Sequence, residues 1–506
     1  MSEKLAPPAV RWDLSALASG LDDPRLEEYW QSAEERTEAF AAQYREKVAG
    51  LSAAELAQAI ATFEEIYQTV SKPSSYASLR FSTDSGDPAI GAFLQKQRER
   101  GTALSVKVLF FDLELQAMDG DRVEELLADP ALANFAHYVR ATRTYSPFRL
   151  SEAEEVVLEE TANTGSRAWQ RLHEELLGNH KFRFHRPGKD EVEEMTEQVV
   201  LSLLRDPDRL VRQAAADSLT AGLAELERTL VFLYNTLLAD KATEDRLRNM
   251  EYPEQSRHLA NELDKETVDL VIRLCREHYP LVARFYHVKR EILGLPELTH
   301  IDRYAPLFET EEEVSWEEGR KIVVEAFAGF SGEMARRADE FFTGNWIDAE
   351  PRAGKRGGAF CAYNTPDTHP VVLQSYLNRM DDVMTLAHEL GHGVHASLSR
   401  AQSYLNFHGT LPLAELASTF GEMLVFEKLV ANASPKDKLA LYSDKVEGVF
   451  ATVFRQAAMY RFEQRCHETR RAEGELSRDQ FGNLWQEELQ AMFADSVTLG
   501  EQHRMW

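Results

Sequence analysis

The sequence predicts a mainly α fold in two lobes, with a small β-sheet beside one of its helices. Three observations carry that prediction. Apolar residues recur every three or four positions along most of the 506 residues, the period of a half-buried helix. Three short β-compatible runs, 345–350, 357–363 and 370–376, stand close together with Pro351, Gly354 and Pro366 between them. An alternating stretch within 179–191 breaks at Pro187-Gly188 and places a boundary near residue 190. The expected domains are therefore 1–190, helical, and 191–506, which carries the chemistry derived below.

Taken in order, residues 1–12 are a Pro-containing lead-in, and 12–17 enter the first helix. From 23 to 71 the pattern is helical, and SKPSSY (71–76) reads as a break because Pro removes a helical hydrogen bond. Residues 75–119 read as one or two long helices jointed at Gly101, followed by a turn and short helix in 118–132. Within 143–177, Ser151 and Glu154 have the spacing of a capping box. A strand pair or loop over 179–191 leads into a helical run that lasts to about 298. After a connection at 300–308 and a helix in 311–342 come the three β runs, expected as a three-stranded sheet. Helices follow over 381–399 and from 413 to about 430, and then at 447–471 and 477–495. No repeat of fixed period and no low-complexity segment stands out.

Hydrophobic content of 43% and charged content of 28% provide for a sizeable core and argue against disorder. A net charge of −27 argues against nucleic acid or an anionic membrane as partner. Cys275, Cys361 and Cys466 are far apart and odd in number, so a reducing compartment, the cytoplasm, is expected. The first residues lack the apolar core of a signal peptide, and no stretch reaches the length of a membrane span.

The chemistry concentrates in 381–399, which contains His388-Glu389-Leu390-Gly391-His392. On a helix, residues four apart share a face, so His388 and His392 can direct two imidazoles at one metal ion. Glu389 is rotated off that line and brings its carboxylate beside the ion. Two nitrogen ligands with an adjacent base suit zinc hydrolysis. Asp381 and Asp382 favour the helix start, and Asn378 is its expected cap. Gly391 and Gly393 each cost about 1 kcal/mol in a helix interior, which implies a close neighbour. His395, seven residues after His388, lies roughly 10 Å further along the axis, too far to share the ion.

A catalytic zinc commonly takes three protein ligands. The apolar helix from Leu413, with Pro412 in its first turn, offers two acids. A carboxylate buried at Glu415 needs a partner, and zinc is one. Glu422, two turns on, is the other acid on that face, and can alternatively accept the free N–H of a ligating imidazole.

The segments 354–363, 369–377, 381–395 and 413–424 together resemble the thimet oligopeptidase family of zinc metallopeptidases, most closely its oligoendopeptidase F branch. The resemblance covers roughly the last 180 residues well and the helical front half more loosely. It implies a two-lobed helical zincin-type fold and one Zn2+ per chain. It also implies His388, His392 and Glu415 as ligands, Glu389 as general base, and His395 in a supporting role, as a substrate-binding candidate. The implied activity is an endopeptidase of short peptides, since a channel between helical lobes excludes bulky substrates. In zinc peptidases of this architecture the edge strand beside the metal pairs with the substrate backbone; here Gly358 and Ala359 would permit that approach.

The family also has a later segment, rich in Tyr with a His, that donates hydrogen bonds to the developing oxyanion. The chain reaches Trp506 where that segment is expected to begin, so the alternative expectation is a catalytically impaired peptide-binding fragment. Among the remaining candidates, His408 is expected at a surface or cleft and His369 in a turn. Tyr363 and Tyr376 are within possible reach of the cleft, and Arg455 on an apolar helix face needs a carboxylate partner.

Overall fold

The computed structural model describes residues 8–308 and 313–506. The chain divides into two compact units, each discontinuous in sequence. One comprises Met1–Thr164 and Glu312–Lys428, the other Gly165–Glu311 and Leu429–Trp506. This is a different division from a cut near 190, and the reason is local. Residue 190 lies in the turn of an antiparallel hairpin, where β1 (Phe182–His185) pairs with β2 (Val192–Met195), Phe182 opposite Met195. Phe182 and Phe184 are fully buried and pack with Val211, Ala215 and Leu219, so the hairpin belongs with the residues after it.

In the first unit, helices Pro24–Tyr44, Ala53–Thr83 and Pro88–Val108 enclose a core that includes Phe40, Phe63, Phe110 and Phe111. Ser52 with Glu55 and Ser151 with Glu154 close capping boxes, the second as its spacing predicts. The expected break at 71–76 is absent: Pro73 sits inside the Ala53–Thr83 helix. Val70, Tyr76 and Ala77 are buried on either side of it, and their burial offsets the roughly 3 kcal/mol that an interior Pro costs. The chain turns instead at 84–87, where Asp87 caps the next helix, and Gly101 lies within that helix rather than at a joint.

The three β-compatible runs form one sheet in the order β3 (Ile347–Asp348), β5 (Val371–Leu373), β4 (Phe360–Ala362). β3 is parallel and β4 antiparallel to β5. β4 and β5 pack on the helix Met380–Ser399, called the motif helix below, as do helices Trp316–Phe330 and Gly332–Thr343. The motif helix buries Val383, Leu386, Ala387 and Leu390 against them. Its cap is Arg379, not Asn378. Asn378 takes a left-handed turn at φ 61°, and the Asp382 carboxylate accepts from the backbone N–H groups of Leu377 and Arg379 at 2.8 and 2.9 Å.

In the second unit, helices Arg209–Arg248, Tyr279–Ile292, Gln456–Glu473 and Arg478–Phe493 share a core of Leu238, Val282, Phe462, Leu489 and neighbours. The single helix expected over 447–471 is interrupted: Pro435–Phe450 ends in a π-helical turn, Ala451–Arg455, before Gln456–Glu473 begins. Among the described residues, no helix is long and apolar enough to cross a membrane. All three cysteines are free.

Candidate metal centre

The site forms where the motif helix meets the helix Leu411–Asn432, called the carboxylate helix below. Glycines set how closely they approach. A Cβ at Gly391 would lie 2.6 Å from the Ala417 carbonyl oxygen and 2.8 Å from Ser418 Cα. Reciprocally, one at Gly421 would lie 2.8 Å from the Ala387 carbonyl oxygen. Both obstacles are backbone, so the two helices touch main chain to main chain. Gly393 makes room on another side for the Phe341 ring, which a Cβ would meet at 2.5 Å. These are the close neighbours that Gly391 and Gly393 imply.

This approach brings Glu415 to the two histidines. Its Oε2 lies 3.4 Å from His388 Nε2 and 3.7 Å from His392 Nε2. One donor atom from each of the three residues lies within 4.8 Å of the others, a grouping able to hold a metal ion. Glu415 is not buried, contrary to the expectation for it; its side chain is 57% exposed. It stands near the start of the carboxylate helix, where Leu411, Leu413 and Leu416 are exposed as well. What fixes it is Ser418, one turn on and fully buried, whose hydroxyl donates to Glu415 Oε2 at 3.0 Å.

Glu422 faces the other side of His388, and its Oε1 lies 2.6 Å from Nδ1. Burial lowers the His388 pKa, and the Glu422 hydrogen bond together with the charges of Glu389, Glu422 and Glu415 raises it by more, so it ends above its ordinary value. His392 is shifted down, by burial first and then by the neighbouring His388. Glu389 is 5% exposed, and its Oε2 has no hydrogen-bond partner among the described residues. Burial pushes its carboxyl up to about 7; the His388 charge opposes this, while Glu415 and Glu422 add to it. The arrangement therefore has three convergent donors, an acceptor behind one imidazole, and a buried acid poised near neutrality.

The remaining predicted residues are distributed around this centre. His395 is outside the three-donor group, and its Nδ1 lies 3.1 Å from the Tyr363 hydroxyl. Tyr363 stacks on His408, and its phenol is pushed well above its ordinary value by burial first, with Cys361, Glu415 and Glu389 adding. Gly358 is exposed at φ +78° with open space around it, and half-buried Ala359 directly precedes β4. The glycine run is thus the turn into the strand. His369 stacks on Trp346 at 4.2 Å in a structural position. Tyr376 is fully buried and donates to the Val314 carbonyl at 3.0 Å, so it does not reach the centre. Arg455 has a phenol rather than a carboxylate as partner, donating to the Tyr304 oxygen at 2.8 Å.

Two contributors escaped the sequence reading, Ser418 and Gly421. A Ser three residues after a helical Glu is a weak signal for side-chain contact. A Gly one turn beyond it, in a second helix, becomes informative only when paired with Gly391.

Fold and site together define a helical peptidase class built around an H-E-x-x-H helix. The chain belongs to peptidase family M3, whose sequence model matches residues 202–505; a second model, oligopeptidase F, matches 114–182. Among its relatives, group B oligopeptidase PepB of Streptococcus agalactiae is 27% identical over 417 residues, covering 81% of this chain and 69% of the relative. Oligopeptidase PepF of Bacillus subtilis is 25% identical over 499 residues, covering 95% and 73%. Oligoendopeptidase-F from Enterococcus faecium is similar in structure, with a TM-score of 0.69 at 18% identity over 95% of this chain and 82% of that one. PZ peptidase A, solved with an inhibitor, gives 0.79 at 15% identity over 98% and 84%. At such identities the structural likeness establishes the fold.

Proposed function

We propose that this protein is a zinc-dependent endopeptidase of short peptides, on the oligoendopeptidase F branch that resembles thimet oligopeptidase. It would hold one Zn2+ per chain through His388, His392 and Glu415, with Glu389 as general base. The observation that carries the reading is the convergence of those three donors beside a buried, partly unpartnered carboxylate. Two imidazoles and one carboxylate are a three-ligand set that leaves a position open. The 3.4 Å separation fits the edge of about 3.3–3.5 Å expected for a tetrahedral shell, and the 3.7 Å separation lies slightly above it.

When bound there, zinc supplies Lewis acidity toward the scissile carbonyl and acidifies water. Glu389 accepts the water's proton and delivers it to the leaving amine. Its elevated pKa suits both halves of that task. Glu422 holds the Nδ1 proton of His388 and so fixes the tautomer that presents Nε2. Ser418 orients Glu415, and the Tyr363–His395 pair supports the motif helix from the β4 side. β4 is an edge strand, a geometry open to pairing with an extended peptide, with Gly358 and Ala359 leading into it. Peptides as substrates fit the oligopeptidase names of the relatives. A cytoplasmic location fits three free cysteines, and the −27 charge disfavours nucleic acid.

Quenched-peptide cleavage and zinc content on purified protein test this together. Glu389→Gln should keep zinc and lose about 10²–10⁴-fold in turnover. His388→Ala should lose the metal. Undiminished cleavage by Glu389→Gln would remove Glu389 from the base role. Wild-type protein that binds zinc and peptide yet cleaves nothing would favour the rival reading, a peptide-binding protein with impaired turnover.

A further inference from the structure

We propose that Arg303 and Arg455, with Tyr304 between them, form a binding site in the second unit for the terminal carboxylate of a peptide. The choice of a peptide as the carboxylate's bearer rests on the peptidase reading; the anion site itself rests on the following geometry.

Arg455 Nη1 and Arg303 Nη2 both donate to the Tyr304 phenol oxygen, each at 2.8 Å. Two cations thus converge on one neutral acceptor. The Arg303 guanidinium also lies over the Tyr304 ring, 4.4 Å from its centre, and that of Arg205 lies 5.7 Å away. Arg303 Nε is buried without a hydrogen-bond partner. Among the described residues, neither Arg303 nor Arg455 has a carboxylate within ion-pair distance.

The acids nearby are already engaged. Glu447 accepts from Lys289 Nζ at 2.9 and 3.0 Å and from the Tyr286 hydroxyl at 3.1 Å. Asp302 is held by Arg209 at 2.8 Å and by Arg212 at 3.1 Å. Arg303 and Arg455 are half-buried, and their convergence on one phenol, with no acid between them, leaves a local excess of positive charge that an anion can neutralise. Burial raises the Tyr304 pKa, and Arg303, Arg455 and Arg205 lower it by more, a sign of a cationic environment.

The backbone is shaped for the same purpose. Arg455 closes the π-helical turn Ala451–Arg455, a local widening that is frequent at functional sites and re-aims the side chains it carries. The Arg303 carbonyl is pinned by Lys289 Nζ at 2.6 Å. Two guanidinium forks held this way match the planar, two-oxygen geometry of a carboxylate, and every oligopeptide ends in one.

The test uses the full chain carrying Glu389→Gln, so that peptide is not consumed. Fluorescence anisotropy compares a short labelled peptide without Asp or Glu, ending in a free carboxylate, with its C-terminal amide. Acetate and inorganic phosphate serve as competitors. The acid should bind at least tenfold tighter than the amide, acetate should compete, and adding Arg455→Gln or Arg303→Gln should abolish the difference. Equal binding of acid and amide would overturn the proposal, as would a preference that survives both substitutions. Phosphate displacing the peptide more strongly than acetate would overturn the carboxylate assignment. Should a variant fold poorly, phenolate absorbance of the unsubstituted chain decides: acetate should raise the pH at which the earliest tyrosine ionises, and insensitivity would overturn the site. Cleavage without acid preference defeats this proposal alone, whereas acid preference without any cleavage by the unsubstituted chain defeats the peptidase reading alone.

Discussion

Two helix pairs of the first unit are packed on opposite rules. Helices Pro24–Tyr44 and Ala53–Thr83 are joined by large rings: Phe40 stands 5.8 Å from Phe63, which stands 5.0 Å from Phe111. The motif and carboxylate helices meet through Gly391 and Gly421, with almost no side chain between them. Rings bury area, and area gives stability. Glycines bury little, but they fix the distance between polar groups projecting from different helices. The first pair therefore holds the fold, and the second holds a geometry.

That contrast breaks if stability and metal affinity respond alike. The largest expected effect on stability is at the aromatic pair. Phe63→Ala should cost about 3–5 kcal/mol in denaturant unfolding. Its zinc content per folded chain should be unchanged.

Next in size is a pH effect on the metal-free protein. Glu389 has its carboxyl raised to about 7 in the fold, against 4.5 ordinarily. Between those values the folded state binds the extra proton. Its stability is therefore greatest below the ordinary carboxylate range, falls as pH rises, and levels off above about 7. The loss amounts to about 3 kcal/mol. Chelator-treated protein unfolded with urea at acidic and alkaline pH measures it, and Glu389→Gln should flatten the difference. An identical pH slope in both proteins would mean that Glu389 is not the buried acid of this site.

At the glycine contact, Gly391→Ala should cost only about 1–3 kcal/mol of stability, because the helices can part. Parting moves Glu415 away from the imidazoles, so zinc affinity should fall disproportionately in competition with a chromogenic chelator. Full zinc affinity in Gly391→Ala would show that main-chain contact does not set the donor spacing.

The same contrast explains what was legible. His388 and His392 are four residues apart in one helix, so their convergence is written into covalent spacing. The three β runs and the Ser151 capping box are local patterns too, and both are present. Pro73 misled because its local cost is real but is outweighed by buried neighbours contributed by distant chain. The boundary near 190 misled because a Pro-Gly turn looks alike whether it separates domains or closes a hairpin. The actual units interleave residues before 165 with residues after 311, a relation that composition does not carry. Ser418 and Gly421 act across a helix crossing, and no single-helix pattern marks them.

The finest distinction concerns the two acids of the carboxylate helix, which spacing alone left open. The structure separates them: Glu415 Oε2 faces Nε2 of both histidines, whereas Glu422 Oε1 faces Nδ1 of His388. A charged acceptor behind an imidazole makes it a better donor without touching the ion. Glu422→Gln keeps an acceptor of the same shape and loses the charge, so zinc affinity should weaken by about 10–100-fold, or roughly 1.4–2.7 kcal/mol. Glu415→Gln removes a proposed ligand and should weaken it more. Isothermal titration of both variants with zinc orders the two losses. A larger loss for Glu422→Gln would exchange their roles and move the ion to the Nδ1 side of His388, away from His392 Nε2.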